Sequence, residues 1–465
     1  MLFLAQHSSS RVISTIPGLF FMPEIAAYPA PPGLSQSPDY RVEVNGVSIW
    51  TERIAVPCDP CWPGWFRENP WVHCEQKIDI ANFSGSGEME ITITVPETIR
   101  RHRIRPAGAQ ISAAKSGNRL TIHLDAPRKL VIAINHLPQL FLFANPQEGP
   151  PPPAHEAGVR FFGPGTHAPG IMTLDSNETV YIAGGAIVYG GLRNRPGASN
   201  IRVLGRGVLD GSRLDKQKMV EWTGASNLLV DGIITRCGHT WQHTPWDCAG
   251  VTYRNVKVLS FGWCCDGIDP CGCRDVLIRD CLMRCTDDCI AIKSYGGSPV
   301  TDGITVDTCI LYGHANSDGV TVGYELTSPI VRNILIKNCD VLETRGGNAM
   351  RTTHSAFSVI CDGASEVGGL RIEDCRVEED MLCLFDLSIT DGHVYVKSAP
   401  GHIRDVYLKN VAWASSRPIR LKGFDADHLV ERVTFDKCRI AGKPLTGFGD
   451  AAFEMNEFVR DVSFV

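Results

Sequence analysis

The sequence predicts an all-β protein, in which a small antiparallel β-sandwich precedes a right-handed parallel β-helix of about ten coils. Three observations support this class. Short runs of alternating apolar and polar residues occupy the segment 40–145. A five-residue β-rich unit then recurs from residue 199 to the C-terminus, at steps of 23 to 36 residues. From Ile233 to Cys438, a column that follows this unit holds apolar residues or cysteine, as expected for an inward-facing ladder.

Residues 1–21 are predicted to be an extension or a disordered tail. They begin with a short apolar run, but Arg11 and a serine cluster lie where a signal peptide has its apolar centre. Met22 begins a segment that is more typical of a natural start. We therefore expect a cytoplasmic location, with secretion left open.

The sandwich is predicted over residues 22–150. Period-two alternation in the runs 42–44, 89–95, 120–124 and 129–134 is typical of half-buried antiparallel strands. Proline residues at 150–153 then form a linker to the second domain, residues 151–465.

A CxxC motif at Cys58 and Cys61 could hold a metal ion or be redox-active. There is no second CxxC, and only His73 and Cys74 lie nearby, so a zinc site is disfavoured. No cofactor is predicted.

The β-helix follows from the position of the apolar third residue of each repeated unit. That residue falls at 201, 228, 251, 276, 304, 334, 370, 406, 433 and 462. Five positions later the chain has Ile233, Val256, Cys281, Cys309, Cys339, Cys375, Val411 or Cys438. A helical solenoid is disfavoured because amphipathic segments of helical length are missing from the repeat. Most cysteines are thus expected to be buried and reduced.

The charge pattern excludes some partners. A net charge of -6 with no lysine- and arginine-rich run argues against nucleic-acid binding. No stretch of eighteen apolar residues predicts a membrane span. The composition does not indicate an oligomeric state.

A group of aspartates is the strongest chemical signal. When the segment 264–270 is aligned with 285–294, Asp266 shares a column with Asp288, and Asp287 precedes it by one place. Because strands of adjacent coils lie about 4.8 Å apart, the three carboxylates should face one patch of surface. Turn residues and a calcium site are the alternatives. Asp269 alone could equally be a turn residue.

These segments resemble the signature of the polygalacturonase family of β-helical glycoside hydrolases. The likeness extends through 205–211, 241–245 and 322–325, and the sandwich is similar to that of the dextranase and isopullulanase family. The resemblance implies inverting hydrolysis of a polysaccharide, with Asp287 as general acid and with Asp266 and Asp288 as the pair that activates water.

The sequence departs from the family pattern at three places. Cys264 and Cys265 replace an asparagine and a threonine. The family histidine is represented by His314, although strict register puts Asp318 in its column. Arg351 is present as a substrate-binding candidate, but Thr353 replaces the lysine that helps to hold a galacturonate carboxylate, so a neutral glycan is also compatible.

Further substrate-binding candidates are Trp241, Trp263, His243, Lys293 and Glu325. Trp246 is a third tryptophan of the same region, and the flat faces of such rings pack against sugars. Core packing is the alternative for each tryptophan, and a turn position is the alternative for His243. A non-catalytic carbohydrate-binding β-helix, or less favourably a polysaccharide lyase, is the alternative function.

Overall fold

The computed structural model of the chain describes residues 24–57, 64, 75–294, 298–346, 354–379, 382–392, 396 and 398–465. Cys58, Cys61, Arg351 and Thr353 lie outside these residues. The regular structure is almost entirely β-strand, with two short 3-10 helices at Ala107–Ala109 and Phe448–Asp450. Among the described residues, no helix has the length and apolar character needed to cross a membrane.

The N-terminal domain is a sandwich of two sheets. From edge to edge, the first contains Ile25–Ala27, Glu75–Gly85, Gln139–Pro146, Lys129–Ile134 and His102–Arg105, and Thr51–Pro57 also pairs with Glu75–Gly85. The second contains Val47–Ile49, Arg41–Val44, Met89–Thr94, Arg119–Leu124 and Ala113–Ser116. Neighbours are antiparallel, except that Gln139–Pro146 runs parallel to Glu75–Gly85. Alternate residues such as Val42, Val44, Ile91 and Ile93 point into a shared core.

The second domain is a right-handed parallel β-helix with three sheets. Sheet 1 contains Val159–Phe162, Thr179–Ile182, Ser199–Gly205, Ser226–Asp231, Ala249–Arg254, Arg274–Arg279, Val300–Asp307, Ile330–Lys337, Glu366–Glu373, His402–Lys409, Val430–Asp436 and Val459–Phe464. Its twelve strands exceed the ten predicted coils, because the first two strands precede the first recognisable repeat at residue 199. The last sandwich strand ends at Pro146, and the first strand of the β-helix begins at Val159.

Sheets 2 and 3 complete the coils. Sheet 2 contains His243–Trp246, Val220–Thr223, Ala186–Asn194, Val208–Asp210, Ile234–Arg236, Lys257–Leu259, Leu282–Cys285, Ile310–Gly313, Asp340–Glu343, Arg376–Val377, Ala412–Trp413, Arg439–Ile440 and Lys443–Pro444, and Gly165–Leu174 pairs with Ala186–Asn194. Sheet 3 contains Ile290–Ser294, Val320–Leu326, Ser355–Cys361, Cys383–Ile389, Ile419–Lys422 and Phe453–Met455. Bridges through Ile268 and Cys271 connect His243–Trp246 with Ile290–Ser294.

The register of the repeat is the one predicted from the sequence. Ile201 pairs with Leu228, and the same column continues coil by coil to Val462. The residue before this column has a positive φ, as at Asn227 and Asp275, which explains why asparagine, aspartate and glycine recur there. Every described cysteine is a free thiol, and the cysteine column is buried.

The sandwich packs against sheet 2 through a mixed apolar and polar interface. Phe141 and Phe143 join Phe261 and Tyr312 in one buried cluster. At its edge the buried Lys257 ammonium donates hydrogen bonds to Asn145 Oδ1 at 2.6 Å and to the Gly232 carbonyl at 2.7 Å. The two domains therefore share a buried apolar cluster with polar contacts at its edge.

Candidate active site

The acidic residues occupy one column where the strands of sheet 3 begin. Pairing of Ile268 with Ile290, and of Ile290 with Val320, fixes the register of successive coils. Asp266 and Asp288 lie two residues before Ile268 and Ile290. Asp266 therefore shares a column with Asp288 and lies one coil before it, as the alignment of the two segments predicts. Along the helix axis the column reads Trp241, Asp266, Asp288, Asp318 and Ser355.

Asp266 and Asp287 come from adjacent coils and meet at the surface. A side-chain oxygen of each lies within 4.8 Å of the other and of the Cys264 sulfur. Asp266 is buried, whereas Asp287 is half-buried and is the more accessible of the two. Burial, followed by the charges of Asp287 and Asp266, raises the pKa of the Cys264 thiol well above its usual value, so the sulfur is a neutral neighbour.

Asp288 is held by the backbone of the next coil. Its Oδ1 accepts a hydrogen bond from the Asp318 N–H at 2.7 Å. The Asp288 N–H in turn donates to Asp287 Oδ1 at 3.1 Å. These two hydrogen bonds fix the orientation of the Asp288 carboxyl group between neighbouring coils.

Behind Asp288, Asp318 is fixed by several donors of the following coil. Its carboxylate accepts hydrogen bonds from the Ser355 N–H at 2.9 Å and from the Ser358 hydroxyl. His354 Nδ1 lies 3.3 Å from Asp318 Oδ1, and His354 Nε2 lies 3.1 Å from Asn316 Oδ1. The Asp318 side chain thus fastens one coil to the next beneath the acidic column.

The histidine beside the acidic column is His354, which the sequence analysis missed. His354 Nδ1 or Nε2 comes within 4.8 Å of an Asp288 oxygen. His314, the sequence candidate, lies one coil earlier, where its N–H bonds the Cys285 carbonyl at 2.7 Å and its ring packs edge-on against Tyr312. The sequence does contain a signal for His354, because this histidine directly precedes Ser355, the residue that continues the column in the next coil.

Lys293 supplies a buried positive charge to the site. Its ammonium lies 2.8 Å from Glu325 Oε2, 3.9 Å from Asp266 Oδ2, and 4.6 Å from the centre of the Trp241 ring. Burial by itself lowers the Lys293 pKa, but Glu325 and then Asp266 and Asp269 raise it well above its usual value. The Glu325 N–H donates to Asp362 Oδ2 at 3.0 Å, which holds the acceptor in place.

Asp269 lies in the same cluster and is completely buried. Neither of its carboxyl oxygens has a hydrogen-bond partner among the described residues. Burial, and then the charge of Asp266, raises the pKa of this carboxyl well above its usual value. Asp269 therefore belongs to the cluster as a neutral group and is not a solvated turn residue.

The aromatic candidates occupy different environments. Trp241 and Trp246 are half-buried and stack with ring centres 6.0 Å apart, and Trp263 is half-buried beside Cys264. His243 is fully buried, bonds the Thr235 hydroxyl at 3.0 Å, and has its pKa lowered to about 3 by burial. The structure thus brings the tryptophans to the surface and places His243 in the interior.

Two groups of side chains have ligand atoms close enough for a metal ion: Cys264, Asp266 and Asp287, and Asp288, Asp318 and His354. Calcium takes six to eight oxygen ligands. Each group supplies only two carboxylates, together with a sulfur or a nitrogen. Their chemistry therefore fits the calcium alternative poorly.

These acidic side chains lie on a right-handed parallel β-helix, the fold of solved glycoside hydrolases to which this chain is similar. Residues 210–364 match the family model of Glycosyl hydrolases family 28. This segment carries the whole acidic column, and the resemblance found in the sequence is confirmed.

Three proteins are similar to the chain in sequence or in fold. Polygalacturonase QRT2 of Arabidopsis thaliana is 25% identical over 242 residues, which are 48% of this chain and 53% of that protein. The chain therefore spans about half the length of this curated relative. Dex49A from Penicillium minioluteum has 14% identity and a TM-score of 0.65, over 95% of this chain and 96% of that one. Polygalacturonase from Erwinia carotovora ssp. carotovora has 15% identity and a TM-score of 0.51, over 66% and 87%. At such identities the two structures establish the fold.

Proposed function

We propose that this chain is an inverting glycoside hydrolase of polygalacturonase type, acting on a pectin-like galacturonan or on a neutral α-glycan. Asp287 is the general acid that protonates the departing oxygen. Asp266 and Asp288 hold the attacking water and accept its proton. The observation that carries this proposal is that the Asp266 and Asp287 carboxyl groups of adjacent coils lie within 4.8 Å, with Asp288 one coil after Asp266 in the same column.

The surroundings of the three groups support these roles. Asp266 faces the Lys293 ammonium at 3.9 Å, and Asp288 accepts the Asp318 N–H at 2.7 Å. Both contacts fix the position of a carboxyl group that would hold the attacking water. Asp287 is more open to solvent, so it is the carboxyl that a glycosidic oxygen reaches first.

Inversion rests on the family resemblance and not on the spacing of the carboxyl groups. In most inverting enzymes the two carboxyl groups are about 6.5–9.5 Å apart, which leaves room for water. The nearest side-chain oxygens of Asp266 and Asp287 lie within 4.8 Å. The stereochemistry of the product is therefore the decisive property to measure.

The relative named a polygalacturonase favours galacturonan as substrate. The replacement of the family lysine by Thr353 keeps neutral α-glycans in the proposal. A hydrolysis screen that includes polygalacturonate and neutral α-glucans separates the two. We expect the wild type to release reducing ends from one class, and Asp287→Asn to bind that glycan without releasing them.

Two outcomes would replace the proposal. A wild type that binds a glycan, yet releases no reducing ends from any substrate, would be a non-catalytic carbohydrate-binding protein. Products that carry an unsaturated sugar and absorb ultraviolet light would show a lyase.

A further inference from the structure

Lys218 is placed on a pair of stacked tryptophans. Its ammonium lies 4.5 Å from the centre of the Trp241 ring and 4.3 Å from the centre of the Trp246 ring. Among the described residues, its ion pair is with Glu221 Oε1, at the long distance of 4.0 Å. Two aromatic faces therefore hold this cation, and a long, partly exposed ion pair of this kind is weak.

This cation lies one coil before the acidic column. Trp241 is the neighbour of Asp266 in the column, and the Gln242 N–H donates to the Asp266 carbonyl at 3.0 Å. Trp241 also contacts the Lys293 ammonium, which faces the Asp266 carboxylate. Lys218 and Lys293 share one aromatic ring but differ in environment, since Lys293 is buried among carboxylates and Lys218 is half-exposed.

We propose that Lys218, on the Trp241–Trp246 pair, binds the carboxylate of an acidic sugar residue in a subsite next to the acidic column. This inference rests on the proposed function and selects its substrate class, a uronate-containing glycan. Neither Lys218 nor its loop belongs to the motifs that carry the family resemblance.

Physical arguments favour a uronate as the occupant. A sugar ring presents C–H groups that pack against aromatic edges and faces, and a uronate adds one carboxylate for the ammonium. The aromatic faces restrict the lysine before the ligand arrives, which lowers the entropy cost of ordering its flexible side chain. A cation here also offsets the repulsion between an anionic sugar and the neighbouring aspartates. Lys218 would thus supply a charge that Thr353 cannot.

The test compares the binding of an acidic and a neutral ligand of equal length. Oligogalacturonate and its fully methyl-esterified form are titrated into Asp287→Asn, to prevent turnover, with and without Lys218→Met. Lys216→Met is the matched control, because Lys216 is an exposed lysine of the same loop. We expect Lys218→Met to weaken oligogalacturonate binding about tenfold, the size of one charge-assisted hydrogen bond, and to leave the ester unchanged. Lys218→Arg should restore most of the affinity.

Three results would overturn the proposal: unchanged oligogalacturonate binding in Lys218→Met, an equal loss for acid and ester, or an equal loss in Lys216→Met. Near-ultraviolet circular dichroism checks that the tryptophan pair stays intact in each variant. A failure of the proposed function gives a different result from a failure of the Lys218 proposal. In that case the wild type would bind oligogalacturonate in a Lys218-dependent way but would release no reducing ends from it.

Discussion

Two buried groups of carboxylates in this molecule contain the same residue types but differ in charge balance. At the domain interface, Arg236 contacts Asp210 at 2.6 Å and Glu52 at 2.7 Å, and the sandwich covers all three. Beside the acidic column, the Lys293 ammonium lies 2.8 Å from Glu325 and 3.9 Å from Asp266, the carboxyl of Asp269 is buried nearby, and the half-buried Asp287 reaches solvent.

The difference separates a structural cluster from a functional one. In the interface cluster each carboxylate faces a guanidinium nitrogen, so removal of the arginine leaves buried charges unpaired. At the acidic column, by contrast, the fully buried Asp269 carboxyl has no hydrogen-bond partner among the described residues, and its pKa is raised by burial. A buried carboxyl of this kind costs stability, and protein sites that retain one commonly use the shifted proton affinity for chemistry.

The largest expected effect is on catalysis by Asp287. The Asp287→Asn variant should lose at least about 10²–10⁴-fold in kcat, because it removes the proton donor. A substrate whose leaving group departs without protonation should recover much of that loss. Steady-state rates on one poor and one good leaving group measure the recovery.

Asp266→Asn and Asp288→Asn are the controls for this prediction. Both should lose activity on the two substrates alike, since water activation is missing whatever the leaving group. An equal recovery in all three variants would contradict the assigned roles. A loss of thermal stability in all three, reversed by added calcium, would indicate a metal site instead.

A substitution in the interface cluster should lower the stability of the protein and should not change the catalytic steps. Arg236→Met leaves Asp210 and Glu52 buried without their partner, and we expect the free energy of unfolding to fall by about 3–5 kcal/mol. Arg254→Met is the matched control, because Arg254 makes an exposed ion pair with Asp231, worth at most about 1 kcal/mol. Denaturant unfolding measures both, and equal effects would remove the distinction between the clusters.

The next prediction concerns how the free energy of unfolding depends on pH when Asp269 is replaced. Its pKa is raised in the folded protein, so its contribution to stability is fully present below its unfolded pKa of about 3.9 and is lost as pH rises through the folded value. Asp269→Asn should therefore gain stability relative to the wild type between pH 4 and pH 7, by about 1–3 kcal/mol at the upper end. Denaturant unfolding at both pH values measures this, with the exposed Asp215→Asn as control. A difference that does not change with pH would contradict a neutral Asp269.

The smallest expected effect is on the cysteine column. Cys281, Cys309, Cys339, Cys375 and Cys438 are buried and should not react with a thiol reagent in the native protein. Labelling followed by mass spectrometry checks each site. Ready labelling of these five under native conditions would contradict their placement inside the coils.

Local repetition made much of the fold predictable. Each coil repeats the same alternation, and a left-handed residue such as Asn227 or Asp275 recurs near the start of the sheet 1 strands, directly before the inward-facing column. This repeated signal fixes the register of successive strands. The alignment of Asp266 with Asp288 followed from the same regularity. The first two sheet 1 strands were missed because they precede the first recognised repeat, although Asn177 already holds the left-handed position in the column of Asn200.

The rest of the site depends on contacts between distant parts of the chain. His354 reaches Asp318 from the next coil, and Lys218 reaches Trp246 from a loop of the preceding coil. The chain between such pairs varies in length, and loop paths are not encoded in the strand repeat. The Arg236 contact with Glu52 joins two domains, so no periodicity within either one reveals it.

The configuration of the first product is the measurement that tests the central claim most directly. Proton NMR of early product, recorded before mutarotation, distinguishes the two anomers. A single displacement by water held between Asp266 and Asp288, with Asp287 as acid, predicts the anomer opposite to that of the substrate bond. Early product with the substrate's own configuration, together with a trapped glycosyl-enzyme on one of these aspartates, would contradict the account.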